Sequence, residues 1–413
     1  MRWLIPFVAL IWIIPIFSAA GELPRAEPQQ VGLSAERLTK LTTDLKKLVD
    51  DGKISGGVAL IARHGKVAYV TAFGYQDVAK KTPMAEDTIF AIASMTKPIT
   101  CVAVMTLVEQ GKLGLDDPIG KHLPELKDLR VLGDSKDDTD TTIATVAAER
   151  SVTVRDLLSH SSGFAYGGFM ASDTRLARAY TKAGVEGRPH ETIAEQVVRL
   201  GNVPLAHQPG AGWTYGLSHD VLGRLIEVIS GKTFDVYLQE RVFDPLDMHD
   251  TSFYVPASKQ MRVATIYRAD GGGALITLPK GFGSKTFFSG GGGLYSTGRD
   301  YMRFAQMLNQ GGEIDGARIL KPETIALMTT NQIGKHSAFA VMKYGLGFGL
   351  IFTPDKPAGK PALSRYLWGG FFSTNFWVDP RHDLVAVIMT QILPTNHGGS
   401  DTVFRTAVDQ AIR

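Results

Sequence analysis

Apolar positions recur along this chain with two periods, and the alternation between them predicts the elements. Between residues 34 and 51 they fall three and four apart, placing Leu38, Leu41, Leu45 and Leu48 on one helical face behind the capping residue Ser34. Residues 58–62 and 67–72 are β-rich runs broken by His64-Gly65, the pattern of a hairpin. A long apolar helix is expected over 91–111, ending at Gly111. Shorter ones are expected over 153–160, 192–200, 218–229 (stopped by Gly231), 234–242, 299–310 and 322–330. Pro118, Pro124 and the charged run 134–140 mark an irregular excursion, and the glycines at 271–273 and 290–293 bracket a loop-rich stretch. The last hundred residues return to strands at 345–351, 366–378 and 384–391, followed by a helix starting near Ser400. A helix then a hairpin at one end, with a hairpin then a helix at the other, predicts one antiparallel sheet built from both chain ends. A mainly helical lobe, about 93–285, would be inserted between them.

The first twenty residues follow a different logic. Met1-Arg2 precedes an unbroken apolar run from Trp3 to Phe17, and Ser18-Ala19-Ala20 closes it with small residues. That order describes a secretory signal peptide, residues 1–20, cut after Ala20. An uncleaved anchor of 18 residues is the alternative, weakened by Pro6 and Pro15. The expectation is therefore an exported protein, periplasmic or secreted, made of one two-lobed domain over 21–413, with no stable membrane association after cleavage.

Composition narrows the function classes. The 413 residues are 44% apolar and 21% charged, as in soluble globular proteins, and the formal net charge of +3 is too small for a nucleic-acid or membrane-surface binder. Removing residues 1–20 takes away Arg2 and no acid, leaving +2. The single cysteine, Cys101, excludes a disulfide framework and a Cys-rich metal site, and its place on an apolar helix marks it as core. No His-Glu-x-x-His and no closely spaced histidine pair occurs, so neither metal nor cofactor is expected; His160, His219 and His397 read as ordinary histidines with satisfied rings. Gly-x-Ser-x-Gly is absent too, which removes the strained nucleophile elbow of α/β-hydrolases.

One motif survives: Ser94-Met95-Thr96-Lys97, a Ser-x-x-Lys where the strand-like run 88–92 gives way to a helix with Pro98 in its first turn. Positions i and i+3 share a helical face, so the lysine nitrogen can reach the serine oxygen. The helix amino terminus favours a developing alkoxide and an uncharged amine, and an uncharged buried lysine is a base. The same four residues also describe a serine cap beside a surface lysine, and chance alone gives about one such match in a chain of this size.

Further segments carry a resemblance. Phe90-Ala91-Ile92-Ala93-Ser94-Met95-Thr96-Lys97-Pro98 resembles the active-site helix of the serine β-lactamase and penicillin-binding-protein superfamily. Trp213-Thr214-Tyr215-Gly216-Leu217-Ser218 is similar to its Tyr-x-Asn element, and Trp368-Gly369-Gly370 stands where that family carries Lys-Thr-Gly. Residues 158–163, 289–293 and 345–347 also look like family segments. Leu217 in place of asparagine and Trp368 in place of lysine remove groups that hold a lactam amide and carboxylate. Trp-Gly-Gly is typical of the β-lactamase-like carboxylesterases called family VIII, which this sequence resembles most closely.

The resemblance implies an α+β, β-lactamase/transpeptidase-like fold and a serine carboxylesterase that cleaves small-molecule, short-chain esters through an acyl-enzyme. Activity on β-lactams or D-amino-acid peptides is the alternative at the same site. It further implies Ser94 as nucleophile, Lys97 and Tyr215 as proton carriers with the choice of base left open, and backbone N–H groups of Ser94 and Phe371 as oxyanion donors beside Trp368, Gly369 and Gly370. Trp368, Phe371, Phe372, Phe287 and Phe288 are candidates to line an apolar pocket for uncharged esters. Oligomeric state is not legible.

Overall fold

The computed structural model describes residues 23–413 apart from 135–142, 169–172, 189, 271, 340 and 355–360. The signal-peptide reading of residues 1–20, and residues 135–140 of the charged run, lie outside the described residues. Ten helices are used below: α1 (Ala35–Asp50), α2 (Thr96–Glu109), α3 (Val154–Leu158), α4 (Thr174–Ala183), α5 (Ile193–Leu200), α6 (Ser218–Ser230), α7 (Phe234–Leu238), α8 (Gly298–Asn309), α9 (Pro322–Met328) and α10 (Ser400–Ala411).

Both chain ends contribute to one sheet. The N-terminal part supplies β1 (Gly56–Arg63), β2 (Lys66–Asp77) and β3 (Thr82–Pro83). The C-terminal part supplies β4 (Lys343–Tyr344), β5 (Gly349–Pro354), β6 (Pro361–Gly369), β7 (Asn375–Asp379) and β8 (Leu384–Thr390). The order is β4-β5-β6-β7-β8-β1-β2-β3, antiparallel throughout. The seam that joins the ends is β1 on β8, from Gly57 opposite Thr390 to Arg63 opposite Leu384. The β1–β2 turn places His64 and Gly65 both at positive φ, 54° and 72°, as a two-residue hairpin of this twist requires.

The sheet is covered on both faces, which explains why its central strands read as continuous apolar runs. Ala59 and Ile61 of β1, with Ala386 and Ile388 of β8, pack against Leu38, Leu41 and Leu45 of α1 and Phe404 and Val408 of α10. The alternate residues Val58, Leu60, Val385 and Val387 join the larger core that holds α2 and α8. Ser34 caps α1 through Arg37 N, as the sequence predicts. The α+β arrangement expected from the two chain ends is the one found.

Four boundaries differ from expectation. Residues 366–378 form two strands, because the chain reverses after Gly369 and returns as β7 with Gly369 opposite Asn375. Helix α2 starts at Thr96 and not at 91, since Ile89–Ala91 pairs with Tyr295–Thr297 and a 3₁₀ turn, Ala93–Met95, intervenes. The strand read at 345–351 begins at Gly349, past Gly347 at φ 96°. Helix α4, capped by Asp173 and ended by Gly184, went unread because only Leu176 and Tyr180 of its ten residues are buried.

Candidate active site

The nucleophile candidate sits on a strained corner. Ile92 N donates to Leu294 O at 3.0 Å, and the chain then turns through Ala93 at φ 43°, a left-handed conformation that costs a residue with a Cβ about 1 kcal/mol. Neighbouring groups hold the corner in place. Leu294 N donates to Thr96 Oγ1 at 3.1 Å, and the Tyr301 hydroxyl donates to Met95 O at 2.9 Å. Strain retained in this way marks functional corners. Ser94 follows in the first helical turn, where its N–H has no intrahelical acceptor.

Lys97 lies one turn further on and is wholly buried. Its Nζ donates to Ser94 Oγ at 3.1 Å, Tyr166 Oη at 3.0 Å and Gly291 O at 2.7 Å. The Tyr215 ring centroid stands 4.6 Å from the same nitrogen, and Tyr166 and Tyr215 meet edge to face at 5.4 Å. The structure thus brings Ser94, Lys97 and Tyr215 together across the 121 residues that separate 94 from 215. It also adds Tyr166, whose phenol oxygen accepts from the lysine.

The protonation of Lys97 departs from expectation. Three acceptors for one nitrogen match the three N–H groups of an ammonium. Burial acts to lower its pKa, but the Tyr166 and Tyr215 phenols outweigh burial and hold Lys97 above its ordinary value. Burial likewise raises Tyr166, against the pull of Lys97. Lys97 and Tyr166 therefore hold their protons as one coupled pair, an arrangement that favours a charged resting amine. Burial alone would have neutralised it; the acceptors reverse the outcome.

Gly291 links this group to a second buried charge. Its carbonyl accepts from Lys97, while its N–H donates to Asp220 Oδ1 at 3.3 Å, beside a 2.6 Å bond from Ser289 Oγ to the same oxygen. Burial raises the Asp220 carboxyl, with Ser289 and Lys97 opposing. A Cβ at Gly291 would lie 2.8 Å from Asp220 Oδ2, so a larger residue there would push the carboxyl group aside.

On the other side of Ser94, strand β6 ends at Gly369. A Cβ at Gly370 would collide with Thr374 Oγ1 and with the carbonyl of Ile92, which explains a glycine where the strand end meets the serine corner. Gly370 N donates to Thr374 O and Ser373 N to Gly370 O, whereas Phe371 N enters no described backbone bond. Both implied oxyanion donors, the Ser94 and Phe371 amides, are thus uncommitted.

These residues border a cavity of about 640 Å³. Trp368, Phe371 and Phe287 line it as expected, joined by Phe339, Met342 and Leu217. Phe288 and Phe372 do not line it. Phe288 packs on Phe253 at 5.2 Å, and Phe372 packs against the small core of Ile89, Val255 and Tyr295. Behind Tyr215 lie His160 (rings 4.9 Å apart) and His219, whose Nε2 is 3.2 Å from Cys101 Sγ. Burial drives both imidazoles well below their ordinary pKa, hence neutral. Cys101 is core as expected. No group of three His, Cys, Asp or Glu side chains that could hold a metal ion occurs among the described residues, nor any helix long and apolar enough to cross a membrane.

Sequence reasoning missed Tyr166, Asp220 and Ser289. Asp220 carried a readable signal, an acid on the buried face of α6 amid Val221, Leu222 and Leu225. Tyr166 follows the noted segment 158–163 by three residues and has no periodic mark.

The chain matches the family described as Beta-lactamase over residues 41–409. It is 38% identical over 365 residues to an uncharacterized protein of Mycobacterium tuberculosis, covering 85% of this chain and 89% of that one. It is 29% identical over 403 residues to Esterase EstB of Burkholderia gladioli, covering 91% and 96%. Among solved structures it is similar to EstCE1, described as a hydrolase with promiscuous acyltransferase activity, at TM-score 0.74 and 26% identity over 90% of this chain and 98% of that one.

Proposed function

From a chain that belongs to the Beta-lactamase family and is related to esterases and acyltransferases, we propose a serine carboxylesterase that cleaves short-chain esters through an acyl-enzyme on Ser94. The observation that carries this reading is the 3.1 Å contact between Ser94 Oγ and the buried Lys97 Nζ at the cavity wall.

The ester carbonyl oxygen binds between the Ser94 and Phe371 amides, and Ser94 Oγ attacks the carbonyl carbon as its proton passes to the Lys97–Tyr166–Tyr215 unit. That unit must first have lost one proton. Each oxyanion donor contributes about 3 kcal/mol to the barrier reduction. The tetrahedral adduct expels the alkoxide, which takes a proton back from the phenol side of the unit. A water then enters and gives a proton to the same unit as its oxygen attacks the acyl carbon; the bond from that carbon to Ser94 Oγ breaks, Oγ takes the proton back and the acid leaves. The ammonium holds both phenol and serine oxygens in register throughout.

Substrate class follows from the cavity lining, in which arginine and lysine are absent among the described residues. A penicillin-like carboxylate finds no cationic side chain in that lining, Lys97 being wholly buried, while Trp368 and Phe371 offer apolar contact to an uncharged acyl or alkoxy group. The same reading has residues 1–20 removed on export. The test is kcat/KM on p-nitrophenyl acetate and butyrate beside a chromogenic cephalosporin and a D-alanyl amide. The esters should exceed the others by at least a hundredfold, with ester turnover lost in Ser94→Ala; amide or lactam turnover equal to that of the esters would reverse the assignment.

A further inference from the structure

Part of the cavity wall differs in chemistry from Trp368 and Phe371. Gln196, only 1% exposed, donates through Nε2 to Val185 O, which leaves its Oε1 buried and without a partner among the described residues while the side chain lines the cavity. Asp220, 2% exposed, accepts twice on Oδ1, and no other described residue donates to Oδ2. Glu186, at the rim beside Gly167, lines the same space. This wall presents acceptors with no donor to match them, and a buried unsatisfied acceptor is costly until one arrives. Lys97 cannot serve, since Ser94, Tyr166 and Gly291 take its three N–H groups.

We infer that this wall selects esters that carry an alkylammonium group, whose N–H donors reach Gln196 Oε1 and Asp220 Oδ2 while Glu186 draws the cation in from the rim. The inference rests on the esterase reading and specifies its substrate class. A cation suits the wall better than a neutral donor because two of the lining side chains are carboxylates and none is basic among the described residues, and a desolvated charge-assisted hydrogen bond is roughly twice as strong as a neutral one. An arriving ammonium also favours the ionised form of Asp220, which burial otherwise disfavours.

The test measures binding on Ser94→Ala, so it does not depend on turnover. Intact ethyl 6-aminohexanoate is compared with ethyl heptanoate and monoethyl adipate, placing the cation on the acyl side. Dimethylaminopropyl hexanoate is compared with 4-methylpentyl hexanoate, placing it on the alcohol side. At least one cationic ester should bind tenfold or more tighter than its neutral twin at 0.15 M salt, with the adipate weakest, and Gln196→Met or Asp220→Asn should bring the ratio toward one. Neutral esters binding as tightly as both cationic ones would overturn the inference, and the Ser94→Ala comparison decides this even where a second substitution unfolds the protein. Absence of hydrolysis by the wild type, with the binding preference intact, would fail the esterase reading alone.

Discussion

Strand β8 and the first turns of α2 are equally hidden from solvent, by opposite means. Leu384 to Thr390 are all buried, and the first six are apolar, their side chains shared between the two sheet faces. Thr96, Lys97 and Thr100 are as completely enclosed, but each is hydrogen-bonded: Thr96 to Leu294, Lys97 to three acceptors, Thr100 to Gly290 O at 2.8 Å. The strand obtains its position from area removed from water, which is non-directional. The helix turn obtains its position from directed bonds to loops 290–294 and 166, which define where each atom points. Stability resides in the first region and chemistry in the second.

A paired substitution tests that division most severely. Ser94→Ala removes one hydroxyl at the cavity and leaves the bonds from Lys97 to Tyr166 and Gly291 in place, so the melting temperature should hold while kcat/KM falls by about 10⁴-fold or more. Ile388→Ala should do the reverse, costing about 2–5 kcal/mol of stability and leaving kcat/KM of the folded enzyme within a few-fold. Thermal unfolding and ester kinetics on both variants check the pair, and a Ser94→Ala protein that unfolds as readily as Ile388→Ala would dissolve the distinction.

A smaller effect sharpens it. Lys97 and Tyr166 both have raised pKa values, so the base form of their shared unit grows as pH rises. Log kcat/KM for a neutral ester should climb with pH across the alkaline range, up to tenfold per unit, and should not level off near neutrality. A profile flat from pH 7 to 9 would mean that the unit is already deprotonated at rest.

The same contrast explains what could be read from the sequence. The sheet, α1 and α10 were legible because burial on one or two faces imposes a period on leucines and valines, as in Leu38, Leu41, Leu45 and Leu48. Ser94 and Lys97 were legible because one helical turn brings them together. Tyr215 was reached through family resemblance, since a phenol that converges from another loop leaves no local pattern. Tyr166 and Gln196 left none either, and their roles arise only from three-dimensional convergence. The charge on Lys97 is hard to read for a related reason: burial is predictable from an apolar helix, but the identity of the acceptors at the lysine tip is not. The reversal within 366–378 was hidden because Gly369-Gly370 permits a strand as readily as it permits a turn.

The account depends above all on Ser94 becoming acylated. Rapid-quench mass spectrometry of the full chain with p-nitrophenyl butyrate, followed by peptide mapping, reads this directly. A butyryl mass increment confined to the peptide that holds Ser94, formed within the burst of nitrophenol and absent in Ser94→Ala, is the predicted result. An increment on another residue, or steady ester turnover with no covalent adduct at any time point, would contradict it.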